Sequence, residues 1–100
     1  MQRLTDYTSY KDAHKFFTKD ALWDLFHGNR DNLNIAYECI DRHQSNRAAI
    51  NIANSNGNDQ TITFGDLSTW SNRVANWLLT KGFQSGDRVA IMLEPSLEFY

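Results

Sequence analysis

The residues of this chain whose types could do chemistry are three histidines and a single cysteine. Cys39 and His43 stand four residues apart, so on a helix they would share one face and could supply two metal ligands. Two ligands do not make a site, and neither His14 nor His27 adds a CxxC or HExxH spacing. The pattern favours a small buried cysteine and a positive charge at a helix C-terminus, and it predicts no metal site.

A second cluster consists of Asp41, Arg42 and His43. It places an acid, a fixed cation and an imidazole side by side, and these groups can perform acid–base catalysis. Neighbouring residues of a helix point in different directions, so the three groups cannot converge on one substrate atom unaided. We interpret them as helix-capping and surface-pairing residues.

Phosphate-binding and nucleophile motifs are missing from the sequence. The five glycines are spread singly, without a GxxxxGK or GxGxxG loop, so no phosphate cradle is encoded. Trp23, Trp70 and Trp77 could stack on a planar ligand, but Trp70 and Trp77 belong to the apolar stripe of a predicted helix and are interpreted as core. The sequence therefore predicts no catalytic, cofactor-binding or metal-binding residue in this chain.

The charge, the cysteine count and the distribution of apolar residues exclude several classes of protein. The formal net charge of −2 and the pI of about 5.8 give no basic field that would attract nucleic acid. One cysteine cannot form an internal disulfide, which favours a reducing compartment. The N-terminus lacks the apolar core of a secretory signal, and no apolar window reaches the about 18 residues of a membrane span. We expect a cytoplasmic protein.

Residues 62–93 organise the chain, because they predict a strand, a helix, a turn and a second strand. The apolar face of the helix consists of Leu67, Trp70, Val74, Trp77 and Leu78. Thr63 and Asp66 have the spacing of a capping box, and Gly82 supplies the left-handed residue that commonly ends a helix. The apolar run 89–93 is typical of a strand covered on both faces, as parallel strands are. This stretch predicts half of a βαβ layer and an α/β fold.

The first 43 residues predict an arm and a helix. Residues 1–32 are polar with scattered aromatics and poor periodicity, and we expect an irregular arm that lies on something larger. Residues 33–43 follow the apolar spacing of a helix, with Asn34 as its N-cap.

The remaining stretches of the sequence predict a β-hairpin before the helix that lies within residues 62–93 and the start of another helix after it. Residues 48–53 and 61–64 read as two strands of a hairpin, joined by a loop in which Gly57 can adopt a positive φ. Pro95 ends the last predicted strand, and residues 96–100 resemble the first turn of another helix. Because a domain seldom stops at such a point, we expect the natural chain to be longer.

Six blocks of residues, in order from Trp23 to Phe99, carry a family likeness. They are Trp23 with Phe26–Gly28, residues 33–43 (LNIAYECIDRH), residues 61–67 (TITFGDL) with 71–76 (SNRVAN), residues 86–93 (GDRVAIML) and residues 95–99 (PSLEF). Taken together they resemble the N-terminal part of AMP-forming acyl-CoA synthetases, especially those similar to acetyl-CoA synthetase. The likeness covers about four-fifths of the chain.

The resemblance implies a parent enzyme that activates a small carboxylic acid with ATP and Mg²⁺ and passes the acyl group to CoA. In that family the phosphate loop, the acyl pocket, the adenine contacts and a mobile domain with a catalytic lysine all follow the equivalent of Tyr100. No site residue is carried over, and the resemblance implies a scaffold that is incomplete and inactive alone. Its partner would be the rest of the synthetase chain. It divides the sequence into an arm, residues 1–32, and the start of the AMP-binding domain, residues 33–100.

Two other hypotheses remain open. The chain could be a small free-standing interaction module whose exposed aromatics bind a protein partner, or an inactive remnant. The aromatics concerned are Tyr7, Tyr10, Phe16 and Phe17.

Overall fold

The structure, a computed structural model, describes residues 2–99. Its elements are a 3₁₀ turn at Leu4–Asp6, α1 at Tyr10–Lys15, α2 at Lys19–Trp23, a π-helix at Tyr37–Asp41, β1 at Ala48–Ile52, β2 at Gln60–Thr63, α3 at Phe64–Thr80 and a 3₁₀ turn at Leu97–Phe99. Helices beside a two-stranded antiparallel sheet are compatible with the predicted α/β class.

The hairpin forms where the sequence predicts it. β1 and β2 pair antiparallel, with Ile50 opposite Ile62. Gly57 adopts a φ of 78° in the connecting loop, and its amide donates to the carbonyl of Asn54 at 3.0 Å. Because a positive φ strains any residue with a Cβ, glycine suits this position, and the predicted turn is confirmed.

Both ends of α3 are encoded by nearby residues. At its start, the Thr63 hydroxyl accepts from the Asp66 amide at 3.1 Å, and the Asp66 carboxylate accepts from the Thr63 amide at 3.0 Å. At its end, Gly82 has a φ of 84° and the Phe83 amide donates to the Leu78 carbonyl at 3.2 Å, as in a Schellman motif. The predicted capping box and glycine stop are confirmed.

The helix predicted over residues 33–43 is shorter and of another type. The Asn34 side chain caps it as expected, because its oxygen accepts from the Tyr37 amide at 3.1 Å. The turn that follows is a π-helix, in which the Arg42 amide donates to the Tyr37 carbonyl five residues back at 3.0 Å. Such widened turns are rare and frequently occur at functional sites.

The strand predicted over residues 89–93 does not form in the described part of the chain. Residues 87–94 have no regular secondary structure, and Ile91 and Met92 are 74% and 97% exposed. A strand exists only through hydrogen bonds to a neighbouring strand, and the described sheet contains β1 and β2 alone. The prediction of a βαβ half-layer is wrong for this reason.

The two tryptophans of the apolar stripe of α3 lie on the surface, while Leu67 and Leu78 are half-buried, so the interpretation of Trp70 and Trp77 as core is wrong for this chain. Trp70 is 40% exposed and Trp77 57%, and no hydrophobic side chain among the described residues is fully buried. The radius of gyration is 17.4 Å, against about 13 Å for a compact domain of this length. The accessible surface is 8932 Å², against about 5,800 Å² for a compact protein of this mass. The apolar residues are present without the layer that would cover them.

The N-terminal arm contains more local order than expected, and the C-terminal end forms a different kind of turn. α1 and α2 interrupt the predicted irregular arm, and the rings of Tyr7 and Phe16 stack at 5.4 Å between centroids. Leu97–Phe99 forms a 3₁₀ turn where a helix is predicted to begin. Met1 and Tyr100 lie outside the described residues, so these predictions are tested only between them.

Candidate functional site

The buried carboxylate of Glu38 is the centre of the most highly connected polar cluster. Its side chain is 3% exposed, and one of its oxygens accepts hydrogen bonds from the amides of His27 and Gly28, at 2.9 and 2.7 Å. The other oxygen accepts from the guanidinium of Arg42, one helical turn further on. Both oxygens are therefore occupied by groups of the chain itself.

Arg42 joins the same loop by a second route. Its two terminal nitrogens donate to the carbonyl of Leu25, at 3.0 and 3.1 Å. The planar guanidinium can reach two acceptors at once because its donors form a rigid fork. Glu38 and Arg42 thus hold the loop of residues 25–28 against the π-helix at three backbone positions.

Gly28 permits the close approach that this cluster requires. A Cβ at this position would lie 2.6 Å from the carbonyl oxygen of Asn32, which is closer than atoms can pack. The turn is closed by reciprocal amide–carbonyl bonds of 3.2 Å between Asn29 and Asn32, and the Asn29 side chain accepts from two amides within it. A glycine is therefore required by space rather than by φ.

The electrostatics of the cluster keep Glu38 ionised. Burial raises the pKa of its carboxyl, but hydrogen bonds from Gly28 and His27 and the adjacent Arg42 guanidinium outweigh burial, so the pKa lies below its ordinary value. This carboxylate is ionised, 3% exposed and bonded to three donors of the chain, so it has no proton to give and is shielded from a ligand. The arrangement positions the chain.

A second carboxylate, Asp66, is engaged in the same local manner. Hydrogen bonds from the backbone and side chain of Thr63 hold the pKa of Asp66 below its ordinary value. Next to it, the Gly65 amide donates to the Ser45 carbonyl at 2.9 Å, and a Cβ on Gly65 would come within 3.1 Å of that oxygen. The start of α3 is thereby fixed to the loop before the hairpin.

The structure separates the residues that could have formed a metal site. Cys39 is exposed, so its interpretation as a buried small residue is wrong. The His43 ring stacks on Phe64 at 4.6 Å, the His14 ring stacks on Tyr10 and the His27 ring nitrogen contacts the Tyr37 hydroxyl at 3.1 Å. Within residues 2–99, no three His, Cys, Asp or Glu side chains are grouped closely enough to hold a metal ion.

The cluster of Asp41, Arg42 and His43 diverges as predicted. Asp41 accepts from the Ser68 hydroxyl of α3 at 2.7 Å, while Arg42 contacts Glu38 and His43 lies on Phe64. The sequence interpretation missed the Glu38–Arg42 pair. An acid and a base four residues apart on a helix were the available signal, but the His27 and Gly28 amides that complete the cluster are ten or more residues away.

An apolar groove of about 460 Å³ lies between α3, the π-helix and the C-terminal 3₁₀ turn. Its principal lining residues are Ile40, Leu67, Trp70, Val74 and Leu97. Trp23, the third tryptophan considered for ligand stacking, instead lies beside Phe26, with the Arg30 guanidinium 5.9 Å from its ring centre. Ser71 and Glu98 also line the groove, and the negative charge of Glu98 would repel the phosphates of a nucleotide.

Comparison with known proteins identifies the family. A profile described as "AMP-binding enzyme" matches residues 37–100. Acetyl-coenzyme A synthetase of Streptomyces coelicolor is 40% identical over 65 residues, which cover 61% of this chain and 10% of that protein. The enzyme of the same name from Halorhodospira halophila is 39% identical over 80 residues, 71% of this chain and 12% of that protein.

A third relative extends the likeness into the arm. Acetyl-coenzyme A synthetase of Alkalilimnicola ehrlichii is 33% identical over 98 residues, 83% of this chain and 15% of that protein. The chain therefore spans about a tenth to a seventh of the length of these relatives. No solved structure matches the chain. Within residues 2–99, no helix is long and apolar enough to cross a membrane.

The resemblance to AMP-forming acyl-CoA synthetases is thus confirmed, and this chain belongs to the family of AMP-binding enzymes.

Proposed function

We propose that this chain is the N-terminal scaffold of an ATP-dependent acid–CoA ligase. Residues 1–32 are the arm and residues 33–100 the start of the AMP-binding domain. The observation that carries the proposal is the uncovered apolar surface of α3 and residues 89–93, within a segment that belongs to the AMP-binding enzymes. Such a surface is unfavourable in water and calls for a covering layer.

The reaction of the whole protein is the activation of a small carboxylic acid. The carboxylate attacks ATP, held with Mg²⁺, to give an acyl-adenylate and pyrophosphate. The thiolate of CoA then displaces AMP to give the thioester. Three relatives named acetyl-coenzyme A synthetase support this assignment. We propose the cytoplasm as the location of the protein.

The residues of this segment do not fit the nucleotide or its metal. The carboxylates of Glu38 and Asp66 are occupied by backbone amides of the chain, and the sequence lacks a glycine-rich phosphate loop. No step of the reaction is assigned to these residues. The segment acts by supporting the elements that bind substrates, and it has no activity alone.

The test is carboxylate-dependent exchange between ATP and pyrophosphate, run on the protein that the native gene encodes and on the 100-residue chain. We expect exchange with acetate for the longer protein and none for the short chain. The intact mass of the native protein is measured alongside. Exchange by the isolated 100 residues, or a longer protein without exchange, would overturn the proposal.

The second candidate is a protein-interaction module, favoured by the exposure of three aromatic residues in the arm, of which Phe16 is 48% exposed. Tyr10 is 84% and Phe17 57% exposed. Tyr7 is half-buried against Phe16, so it contributes less than the sequence suggests. A native protein of 11.6 kDa that recovers a stoichiometric partner through Tyr10 and Phe17 would favour this candidate, and the same mass without a partner would favour an inactive remnant.

A further inference from the structure

The arm, residues 2–32 in the described structure, is connected to the rest of the chain through very few polar contacts. Among the described residues, the hydrogen bonds between the arm and residues 33–99 all end on Tyr37, Glu38 or Arg42. Two of these three residues, Glu38 and Arg42, also bond to each other. One widened helical turn therefore carries the whole polar interface.

The other elements are held together differently. The larger contacts between described elements join β1 to β2, and join α3 to the hairpin and to the π-helix. The Ser68–Asp41 bond and the Gly65–Ser45 bond reinforce this group. The hairpin, α3 and the π-helix thus form one packed unit, to which α1 and α2 are attached mainly through the loop of residues 25–28.

The position of the contact in the sequence is informative. The family profile begins at residue 37, one position before Glu38. The alignment with the Alkalilimnicola ehrlichii relative covers 83% of the chain and so extends well upstream of residue 37. The Glu38–Arg42 pair therefore joins a segment outside the general family profile to the first turn inside it.

We propose that the Glu38–Arg42 pair is a release point for the arm. When the pair is intact, its contacts with Leu25, His27 and Gly28 hold the arm on the AMP-binding domain. When the pair is broken, the arm opens as a separate cooperative unit while the hairpin and α3 keep their structure. Local unfolding of this kind requires a weakly packed segment with few connections, as observed here. The inference does not depend on the reaction that the protein catalyses.

The experiment is hydrogen exchange with mass-spectrometric detection on the full-length protein. In Glu38→Gln, we expect peptides that contain residues 19–30 to exchange about tenfold or more faster, because the amides of His27 and Gly28 lose a charged acceptor. Peptides from α3 keep their wild-type rates. The matched control is Glu94→Gln, the same change at an exposed glutamate outside this contact, and it leaves both regions unchanged.

A second variant and the wild-type protein keep the proposal testable if Glu38→Gln does not fold. Arg42→Lys retains the positive charge but cannot bridge Glu38 and Leu25 with a planar fork, and we expect a smaller acceleration confined to the arm. In wild type, low denaturant should accelerate exchange in the arm before α3. Equal acceleration of the arm and α3, or unchanged arm exchange in both variants, would overturn the proposal. ATP–pyrophosphate exchange is measured on the same variants. Faster hydrogen exchange in the arm, with ATP–pyrophosphate exchange retained, would support release of the arm independently of the proposed ligase function.

Discussion

The two apolar stretches of this chain, α3 and residues 89–93, have comparable sequence signals and different structural outcomes. α3 forms and ends where predicted, although its apolar face is uncovered. Residues 89–93 form no strand among the described residues. A helix satisfies its backbone within itself and at its two caps, whereas a strand must find donors and acceptors on another strand. Signals within the sequence of α3 are therefore sufficient for the helix to form. Residues 89–93 form no strand because no other described strand lies beside them.

The largest expected effect comes from a charge introduced into the apolar run. In the isolated chain Ile91 is 74% exposed, and Ile91→Asp should change stability by no more than about 0.5 kcal/mol. In the full-length protein, where we expect the rest of the AMP-binding domain to cover this run, the same change should cost about 3 to 5 kcal/mol, because it buries an unpaired charge.

Denaturant unfolding measures the loss of stability in the full-length protein, and far-ultraviolet circular dichroism compares the helix content of the short chain with and without the change. Asn58→Asp, in the exposed hairpin loop, adds the same charge and serves as the control. Equal effects of Ile91→Asp in the two lengths would contradict the comparison between α3 and residues 89–93.

The second effect concerns the end of α3. Gly82 has a φ of 84°, so Gly82→Ala should cost about 1 to 2 kcal/mol of the full-length protein's stability, because an L-residue is strained in that conformation. Lys81→Ala, at the preceding position with a φ of −87°, should have little effect. Chemical denaturation measures both, and equal losses would show that the left-handed position does not fix the helix end.

The third effect concerns the start of α3. Thr63→Ala removes the oxygen that accepts from the Asp66 amide and should cost about 1 kcal/mol. Thr69→Ala, inside the helix, should cost nothing or stabilise slightly, because alanine is the better helix former. A thermal-unfolding series distinguishes the two. A larger loss at residue 69 than at residue 63 would refute the role of the cap.

The smallest effect is a dependence on pH. The pKa values of Asp66 and Glu38 lie below their ordinary values of 3.8 and 4.5, because both carboxylates accept hydrogen bonds in the fold. Their contribution to stability is therefore complete above these ordinary values and is lost as the pH falls below them. Circular dichroism in the far ultraviolet follows the loss of α3. Asp66→Asn should flatten the titration in the range near 3.8, and an unchanged profile would assign the acid sensitivity to other groups.

The range of successful sequence predictions follows the distance between interacting residues. The capping box, the glycine stop and the hairpin turn were predictable because each involves residues within about five positions of one another. The Glu38 cluster was not predictable, because the donors that complete it are the backbone amides of His27 and Gly28. Nearly every residue type has a backbone amide, so the sequence does not indicate which amides will bind a carboxylate. The exposure of Cys39 was missed for a related reason, since no helix face here meets a full core.

The predictions about chemistry also differ in how much of the chain they depend on. That Asp41, Arg42 and His43 diverge could be derived from helix geometry alone, and the structure agrees. The scaffold role could not be derived from any one residue. It rests on the ordered resemblance of several blocks to one family, together with the apolar surface that the structure leaves uncovered.

The most direct test of the scaffold role is amide hydrogen exchange at residues 89–93, in the 100-residue chain and in the protein encoded by the native gene. If the rest of an AMP-binding domain covers this run, its amides should be protected about thousandfold in the longer protein and hardly at all in the short chain. Equal protection of residues 89–93 at both lengths, together with a cooperative, aggregation-free thermal transition of the short chain, would show that these 100 residues complete their own fold and would contradict the account.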